Sequence, residues 1–253
     1  MSEHLLIERN DAVLTLTLNR PDKKNALTRD MYGAMGDAIK SAQTDDAIRA
    51  VVIQGSPECF TSGNDVSDFL NQAPSQEDSP VYRFLKAICH AEKPLIAAVN
   101  GPAVGVGTTM LLHCDLVFVA TNARLRMPFV NLGLCPEAGS SFLLPRLLGH
   151  IRAAELLLLS EEISGTRAAD MGLATRALPA GQAVIDAARD AAQRITQLPP
   201  NSVKLTKQLI KAGVADTAAE VMEKEGAHFS KLLAGPEARE ALSAFMEKRK
   251  PVF

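Results

Sequence analysis

The sequence predicts an α/β protein that ends in a purely helical region. Short apolar strands alternate with helical segments over most of the chain, and only helical patterns follow Pro199-Pro200. Of the 253 residues, 47% are apolar and 22% are charged, so the chain can bury a large core. We therefore predict an α/β core over residues 1–198 and a helical region over residues 199–253.

The N-terminal segment predicts a hairpin followed by a helix. Apolar and polar residues alternate from Val13 to Leu18, as in a half-buried strand, and Asn10-Asp11 offers a turn back to Leu5-Leu6-Ile7. Thr28 is a suitable N-cap for the helix that follows. One helical face is predicted from apolar residues at helical spacing, namely Leu27, Met31, Ala34, Met35, Ala38, Ile39 and Ala42.

Short apolar runs predict three more strands, at 50–53, 95–99 and 116–120. The stretch from Leu95 to Cys114 carries no charged side chain, but Asn100-Gly101-Pro102 interrupts it. We predict a buried strand, a turn and a buried helix there, and no membrane span. Helical stretches lie between the strands, and their irregular spacing argues against a regular barrel.

Polar residues and prolines predict the remaining boundaries. Residues 73–80 are polar and include two prolines, which is typical of a mobile surface loop. In the helical region, Asn201 is predicted to cap one helix and Thr217-Ala218-Ala219-Glu220 to form the capping box of the next. Gly235-Pro236 is predicted to end that helix, and a last helix is predicted over 237–248.

Composition favours a small-molecule ligand. The net charge is −2 and there is no Trp, so neither a basic face nor an aromatic stacking platform for nucleic acid is predicted. The four cysteines and five histidines lack the spacing of metal ligands, so we expect no metal. The dispersed cysteines also favour a reducing, cytoplasmic compartment. The N-terminus lacks the basic and apolar regions of a signal peptide.

Two glycine-containing segments can present backbone N–H groups to a ligand. The first, residues 59–65, includes Ser62-Gly63-Asn64-Asp65 after a strand, and on its own it also fits a surface turn with an N-cap Asp. The second, residues 100–109, opens a buried helix with Gly105-Val106-Gly107, where free N–H groups favour an anion. Met110 replaces the third glycine of a dinucleotide fingerprint, so this segment does not predict nucleotide binding.

A third segment, residues 132–141, contains one carboxylate among apolar and small residues. Burial raises the pKa of a carboxyl group and makes Glu137 a better general base near neutral pH. Alternatively, Glu137 lies in the first turn of a helix that starts with Pro136, where a glutamate is also favourable. Ser140-Ser141 does not form the G-x-S-x-G pattern of a serine hydrolase.

Three motifs in this order resemble the enoyl-CoA hydratase/isomerase (crotonase) family over nearly the whole chain. Residues 19–27, NRPDKKNAL, are similar to its N-R-P-x-x-x-N-A-L signature at the coenzyme A site. Residues 62–65 stand where the family has its first oxyanion loop, and residues 93–101, KPLIAAVNG, match the strand that leads to the second. The resemblance implies a crotonase-type spiral of β-β-α turns, a trimerisation region at 199–253 and an acyl-CoA substrate with no separate cofactor. It also implies a homotrimer, or a hexamer of two trimers.

The third segment is most similar to one branch of this family. Residues 136–141, PEAGSS, resemble the P-E-G-x-S-S segment of Δ3,Δ2-enoyl-CoA isomerases, with Ala138 in place of the more usual glycine. Hydratases of the family use two glutamates, and the resemblance places Thr109 and Phe129 at those positions. This branch implies an isomerase of unsaturated fatty acid β-oxidation that converts 3-enoyl-CoA to 2-trans-enoyl-CoA, with Glu137 as its base.

The resemblance implies the remaining site residues as well. The backbone N–H groups of Asn64 and Val106 are expected to form the oxyanion hole. The expected substrate-binding residues are Lys24, Ala26, Ser62, Gly63, Asp65, Val66, Thr109, Phe129 and Leu134.

Two alternatives remain open at this point. One is an enoyl-CoA hydratase of the same family, against which Thr109 and Phe129 argue. The other is a non-enzymatic relative that binds acyl-CoA or RNA, in which Glu137 would be only a capping residue. An RNA-binding relative would need a basic helix, and we interpret Lys204, Lys207 and Lys211 as a solvated helix face instead.

Overall fold

The computed structural model describes residues 3–65 and 79–253. In this part of the chain, two sheets form the centre of an α/β fold and helices cover them. The strands are β1 (Leu5–Asn10), β2 (Val13–Leu18), β3 (Ala50–Gln54), β4 (Leu95–Val99), β5 (Pro102–Val104), β6 (Leu116–Ala120), β7 (Arg124–Arg126), β8 (Ile163–Ser164) and β9 (Arg176–Leu178). The helices are α1 (Arg29–Thr44), α2 (Pro80–Cys89), α3 (Val106–Thr109), α4 (Ser140–Leu148), α5 (His150–Leu158), α6 (Gly165–Met171), α7 (Gln182–Thr196), α8 (Pro200–Lys211), α9 (Ala215–Leu233) and α10 (Pro236–Met246). Short 3₁₀ turns lie at Pro21–Lys23, Met110–His113 and Val130–Leu132.

The larger sheet has the strand order β1-β2-β3-β4-β6-β9. The β1–β2 pair is the antiparallel hairpin that the sequence predicts, with Asn10 opposite Val13 and Asp11 at a left-handed φ of 53°. Each later pair is parallel, and α7 packs on its central strands. The smaller sheet has the order β5-β7-β8. This architecture confirms the predicted α/β class with a helical C-terminal region.

Several element predictions are confirmed by local contacts. The helix after residue 28 is α1, and the Thr28 hydroxyl accepts a hydrogen bond from the Met31 backbone N–H at 3.3 Å. The strands predicted at 50–53, 95–99 and 116–120 are β3, β4 and β6. Every residue of β4 is buried, as expected for a central strand with helices on its faces.

The uncharged stretch from Leu95 to Cys114 contains one element more than predicted. After β4, the chain forms the three-residue strand β5 where we predicted only a turn. Three residues are too few to produce a detectable two-residue period, so this strand was missed. The single turn α3 follows, as the predicted buried helix. Across the described residues, every helix is too short or too polar to span a bilayer.

The helix starts in the C-terminal region differ from the predictions. Helix α8 begins at Pro200, so Asn201 lies inside its first turn and does not cap it. Helix α9 begins at Ala215, and the Thr217 hydroxyl donates to the Gly213 carbonyl at 3.2 Å instead of capping the helix. Pro200 starts α8 one residue before Asn201, and α9 starts two residues before Thr217 without a proline. The break at Gly235-Pro236 separates α9 from α10 as predicted.

The predicted loop at 73–80 lies mostly outside the described residues. Its last two residues instead begin α2, where the Ser79 hydroxyl accepts a hydrogen bond from the Tyr82 backbone N–H at 3.2 Å. Pro80 occupies the first position of that helix, which a proline tolerates because no intrahelical partner is needed there.

The prediction of a solvated lysine face on α8 was wrong for Lys207, whereas the Lys204 side chain is 45% exposed. Lys207 is 4% exposed, and its ammonium group donates to the Asp115 carboxylate and to the Lys93 carbonyl, both at 2.7 Å. Lys204 forms an ion pair with Glu92 at 2.6 Å. Lysine stems pack along apolar surface, and the partner charge offsets the desolvation of the buried ammonium group. These lysines therefore tie α8 to the core.

Candidate active site

The first glycine segment lies against β5. Thr61 and Ala103 form a parallel bridge, in which the Thr61 N–H donates to the Pro102 carbonyl at 3.0 Å. Gly63 has a φ of +93°, and a Cβ at this position would lie 2.8 Å from the Val104 carbonyl oxygen. Only glycine allows this approach, which brings the first and second segments together.

Both segments contain backbone donors that have no protein acceptor among the described residues. Gly105, with φ +56° and ψ −119°, turns the chain into α3, whose first residue is Val106. In the part of the chain that the structure describes, the N–H groups of Asn64 and Val106 make no hydrogen bond to protein. Both donors are thus available to a ligand oxygen between the segments.

Asparagine 25 joins the N-terminal motif to the first segment. Its side-chain amide donates to the carbonyls of Cys59 and Phe60 at 2.9 and 3.1 Å, and its own carbonyl accepts the Thr61 hydroxyl at 2.6 Å. Asn25 is 1% exposed. These bonds fix the chain next to Lys24, whose carbonyl accepts the Ser62 N–H of the first segment at 3.0 Å.

The third segment places a carboxylate outside any helix. Helix α4 begins at Ser140, so Glu137 precedes it by three residues, and the interpretation of Glu137 as a first-turn residue was wrong. The Thr109 hydroxyl donates a hydrogen bond to Oε1 of Glu137. Ala138 and Gly139 follow in the left-handed region, with φ of 58° and 69°. This turn separates Glu137 from the first residue of α4.

The environment of Glu137 favours its protonated form. Burial raises its pKa to about 8, and the negative charge of Glu225 acts in the same direction. The hydrogen bond from Thr109 opposes both effects because it stabilises the carboxylate. A carboxyl group with a pKa close to neutral pH can both remove and return a proton, as a general acid–base catalyst must.

An apolar cavity of about 370 Å³ opens beside Glu137 and Asn64. Helices α2 and α9 form its other walls, so the predicted core and the C-terminal helical region both contribute to it. Its remaining lining residues are Ser79, Val81, Tyr82, Leu85, Ala138, Met222, Glu223, Gly226, Ala227, Phe229 and Ser230. A volume of this size suits a small acyl group.

Two buried side chains that the sequence analysis missed support the site. The Tyr32 hydroxyl donates to Oδ1 of Asn64 at 2.5 Å, and burial raises the pKa of this tyrosine well above its usual value, so it stays neutral. His113 Nε2 lies 2.8 Å from the Ala138 carbonyl oxygen. Burial lowers the pKa of His113 to about 4, so the neutral ring donates this bond.

Residues 8–253 match the family described as enoyl-CoA hydratase/isomerase. The chain belongs to this family. Two of the predicted site residues, Asn64 and Glu137, line the same cavity, whereas Val106 lies outside its described lining. Among the described residues, no group of three or more His, Cys, Asp and Glu side chains is arranged to hold a metal ion.

Solved and curated relatives support the family assignment over the full chain. The structure of Pseudomonas aeruginosa OdaA is 58% identical, with a TM-score of 0.95, and the match covers 97% of this chain and 99% of that one. The 2,3-dehydroadipyl-CoA hydratase of Escherichia coli (strain K12) is 32% identical, over 100% of this chain and 99% of its own length. Enoyl-CoA delta isomerase 2 of Rattus norvegicus is 33% identical over 88% of this chain, which spans 58% of the rat protein. The relatives thus include both isomerases and hydratases.

Four residues that the family motifs predicted for substrate binding form hydrogen bonds with other parts of the chain, namely Lys24, Ala26, Ser62 and Asp65. Ser62 donates its backbone N–H to the Lys24 carbonyl at 3.0 Å, which holds these two residues together. The carbonyl of Ala26 and the carboxylate of Asp65 both accept hydrogen bonds from Arg20, at 3.1 and 2.6 Å. These groups lie outside the described lining of the cavity.

The other residues predicted to contact the substrate are buried or lie outside the described residues. Phe129 and Leu134 are each 6% exposed and pack into the hydrophobic core of this family member. Thr109 is fully buried and approaches the cavity only through its hydrogen bond to Glu137. Val66 lies outside the described residues.

Proposed function

We propose that this protein is a Δ3,Δ2-enoyl-CoA isomerase, which moves the double bond of a 3-enoyl-CoA to the 2-trans position in the oxidation of unsaturated fatty acids. One observation carries the proposal. Thr109, which occupies the place of a hydratase glutamate in the family resemblance, donates a hydrogen bond to Glu137. Thr109 thus presents a hydroxyl, and not a second carboxylate, to Glu137, and an isomerase needs only one base.

The chemistry follows from that one base. Glu137 removes a proton from C2 of the 3-enoyl thioester, and the electron pair moves onto the thioester oxygen. The N–H groups of Asn64 and Val106 hold this oxygen, and the loss of one such donor typically costs about 3–4 kcal/mol of transition-state stabilisation. Glu137 then returns the proton to C4 as the double bond forms between C2 and C3. No water is consumed.

The surroundings of Glu137 suit this proton transfer. The cavity that Glu137 shares with Asn64 is mostly apolar, so it can accept the acyl chain while Thr109 orients the carboxylate. A dry cavity also keeps water from the dienolate. Lys24, Ala26, Ser62, Gly63, Asp65, Val66, Phe129 and Leu134 remain predicted contacts of the acyl-CoA.

An enoyl-CoA hydratase of the same family is the second candidate. Two observations favour it, namely the similarity to an Escherichia coli hydratase and the presence of Glu223 as a second carboxylate on the cavity wall. However, the Glu223 carboxylate accepts the Tyr82 hydroxyl at 3.0 Å and lies 3.8 Å from the Lys86 ammonium group. These contacts favour a role for Glu223 in holding α9 against α2.

The experiment is to supply 3-enoyl-CoA and 2-trans-enoyl-CoA separately and to identify the products. We expect rapid conversion of the 3-enoyl-CoA and little or no 3-hydroxyacyl-CoA from the 2-enoyl-CoA. In heavy water, partial retention of hydrogen at C4 is expected, because one sheltered base carries the proton from C2. Hydration at a rate equal to isomerisation would identify a hydratase. Binding of both compounds with no turnover would identify a non-enzymatic relative.

We further propose that residues 199–253 assemble the protein as a homotrimer, or as a hexamer of two trimers, in the cytoplasm. Apolar side chains on α8 support the assembly, since Leu205, Leu209 and Ile210 are more than half exposed. The four free thiols support a reducing compartment.

A further inference from the structure

A carboxylate from the C-terminal helical region caps the start of α4. Glu225, on α9, accepts hydrogen bonds from the backbone N–H groups of Gly139 at 2.6 Å and Ser141 at 2.9 Å, and from the Ser141 hydroxyl at 2.5 Å. Its side chain is buried, with 7% exposure. Burial raises the pKa of Glu225. All three partners donate, however, and the positive end of the helix dipole lies at the same place, so these contacts favour the ionised carboxylate against the effect of burial.

These hydrogen bonds hold the turn that follows Glu137. Ala138 adopts a left-handed φ of 58°, which is unfavourable for a residue with a Cβ, and such a conformation persists only where its surroundings impose it. Glu225 fixes the turn from α9, and His113 fixes the Ala138 carbonyl from the opposite side. The direction of the Glu137 side chain depends on this turn, because Glu137 immediately precedes it.

We propose that Glu225 is a positioning residue for the base Glu137. Its ionised carboxylate holds the Ala138–Gly139 turn in place, and its negative charge acts on the Glu137 carboxyl group. The C-terminal helical region thus controls the geometry and the proton affinity of the site. The expected effect on rate rests on the proposed isomerase function, whereas the effect on the titration of Glu137 does not.

The charges near Glu137 support this assignment. The negative charge of Glu225 raises the pKa of Glu137, as a secondary cause after burial. Burial favours the neutral forms of Tyr32, His113 and Cys135. The Tyr82 hydroxyl donates to Glu223. Glu223 is the other carboxylate on the cavity wall, but its side chain is 54% exposed, so solvent screens its charge.

The test is Glu225→Gln, which removes the charge and keeps the size of the side chain. We expect kcat to fall about tenfold or more through misorientation of the base, with a smaller change in KM. The acidic limb of the pH–rate profile should move to lower pH, because a charge that raises the pKa of Glu137 has been removed. Carbon-13 NMR of labelled glutamate carboxyl groups, assigned with Glu137→Gln, should show the same shift without substrate. Glu220→Gln, an exposed glutamate on the same helix, should change neither measurement.

If Glu225→Gln does not fold, a second variant, Ser141→Ala, tests the same contact. Ser141→Ala removes one donor and leaves the Glu225 charge, so kcat should fall severalfold while the titration of Glu137 stays near that of the wild type. A folded Glu225→Gln protein in which Glu137 titrates as in the wild type would overturn the proposal, even if its rate falls. A Ser141→Ala protein with wild-type kcat would also overturn it. If the wild-type protein does not isomerise 3-enoyl-CoA, the proposed function fails, and the NMR titration still tests Glu225.

Discussion

The hydroxyl of Thr109 donates a hydrogen bond to the carboxylate of Glu137. This contact joins the short helix after the second glycine segment to the turn before α4, across 28 residues of sequence. It orients the Glu137 carboxylate, and it favours the ionised form of Glu137 against burial and the charge of Glu225. Its removal should therefore change the pH at which the base is active.

Thr109→Val should shift the pH dependence of catalysis. Without the donor, the pKa of Glu137 rises above its value of about 8, so the acidic limb of kcat/KM should move to higher pH. The rate should fall most near pH 7 and approach the wild-type rate at alkaline pH. Thr109→Ser, which keeps the hydroxyl, should restore the wild-type profile. A profile for Thr109→Val that overlays the wild type would contradict this assignment.

Glu137→Gln should abolish most isomerase activity and leave the fold intact. The amide cannot accept the C2 proton, and general acid–base catalysis alone contributes about 10²–10⁴-fold. Steady-state rates with 3-enoyl-CoA would measure the loss, and circular dichroism would check the fold. More than about a tenth of the wild-type rate in this variant is incompatible with a general base at position 137.

The same variant should become more stable than the wild type as the pH rises. The folded-state pKa of Glu137 is about 8, above the ordinary value of 4.5, so its ionisation opposes folding. The contribution of the protonated carboxyl group to stability is complete below about pH 4.5 and is lost as the pH rises through 8. We expect the Tm of Glu137→Gln to exceed that of the wild type at pH 8 and to match it near pH 5. Equal differences at both pH values would show that packing, not ionisation, is responsible.

Tyr32→Phe should weaken the oxyanion hole and leave substrate binding largely unchanged. The lost hydroxyl is the donor that fixes the Asn64 side chain, and the ring can keep its packing against Phe84 at a centroid distance of 5.5 Å. We expect kcat to fall about tenfold because the Asn64 N–H is less well oriented. A rise in KM with no change in kcat would mean that Tyr32 acts only on ground-state binding.

Light scattering should give a mass of three or six times the 27.1 kDa chain at micromolar concentration. Leu209 and Ile210 on α8 are 68% and 73% exposed, which is more than expected for large apolar residues of a monomer. Ile210→Asp should therefore shift the protein towards smaller species. Asn201→Asp, at the exposed start of the same helix, serves as its control. A wild-type protein that is only monomeric would refute the assembly.

Local sequence patterns determined much of this fold. The hairpin of β1 and β2, the Thr28 cap of α1 and the central strands follow from alternation, helical spacing and capping, each of which acts over a few residues. The glycine segments were also identifiable, since backbone at a positive φ favours glycine and a close backbone approach, as at Gly63, excludes a Cβ. Local patterns did not predict the strand β5, which has only three residues. They also misplaced the starts of α8 and α9, because polar residues inside the first turn resembled caps.

The sequence motifs, through their family resemblance, indicated Glu137 as the candidate base and the N–H groups of Asn64 and Val106 as the candidate oxyanion hole. Only the tertiary structure decided what surrounds that base. Thr109, Tyr32 and Glu225 act on the site through contacts that span 28, 32 and 86 residues, and no local pattern records them. The burial of Lys207 against Asp115, 92 residues away, was hidden for the same reason. Burial and pairing set the pKa of a group through its neighbours in space, and these exist only once the sheets and helices have packed.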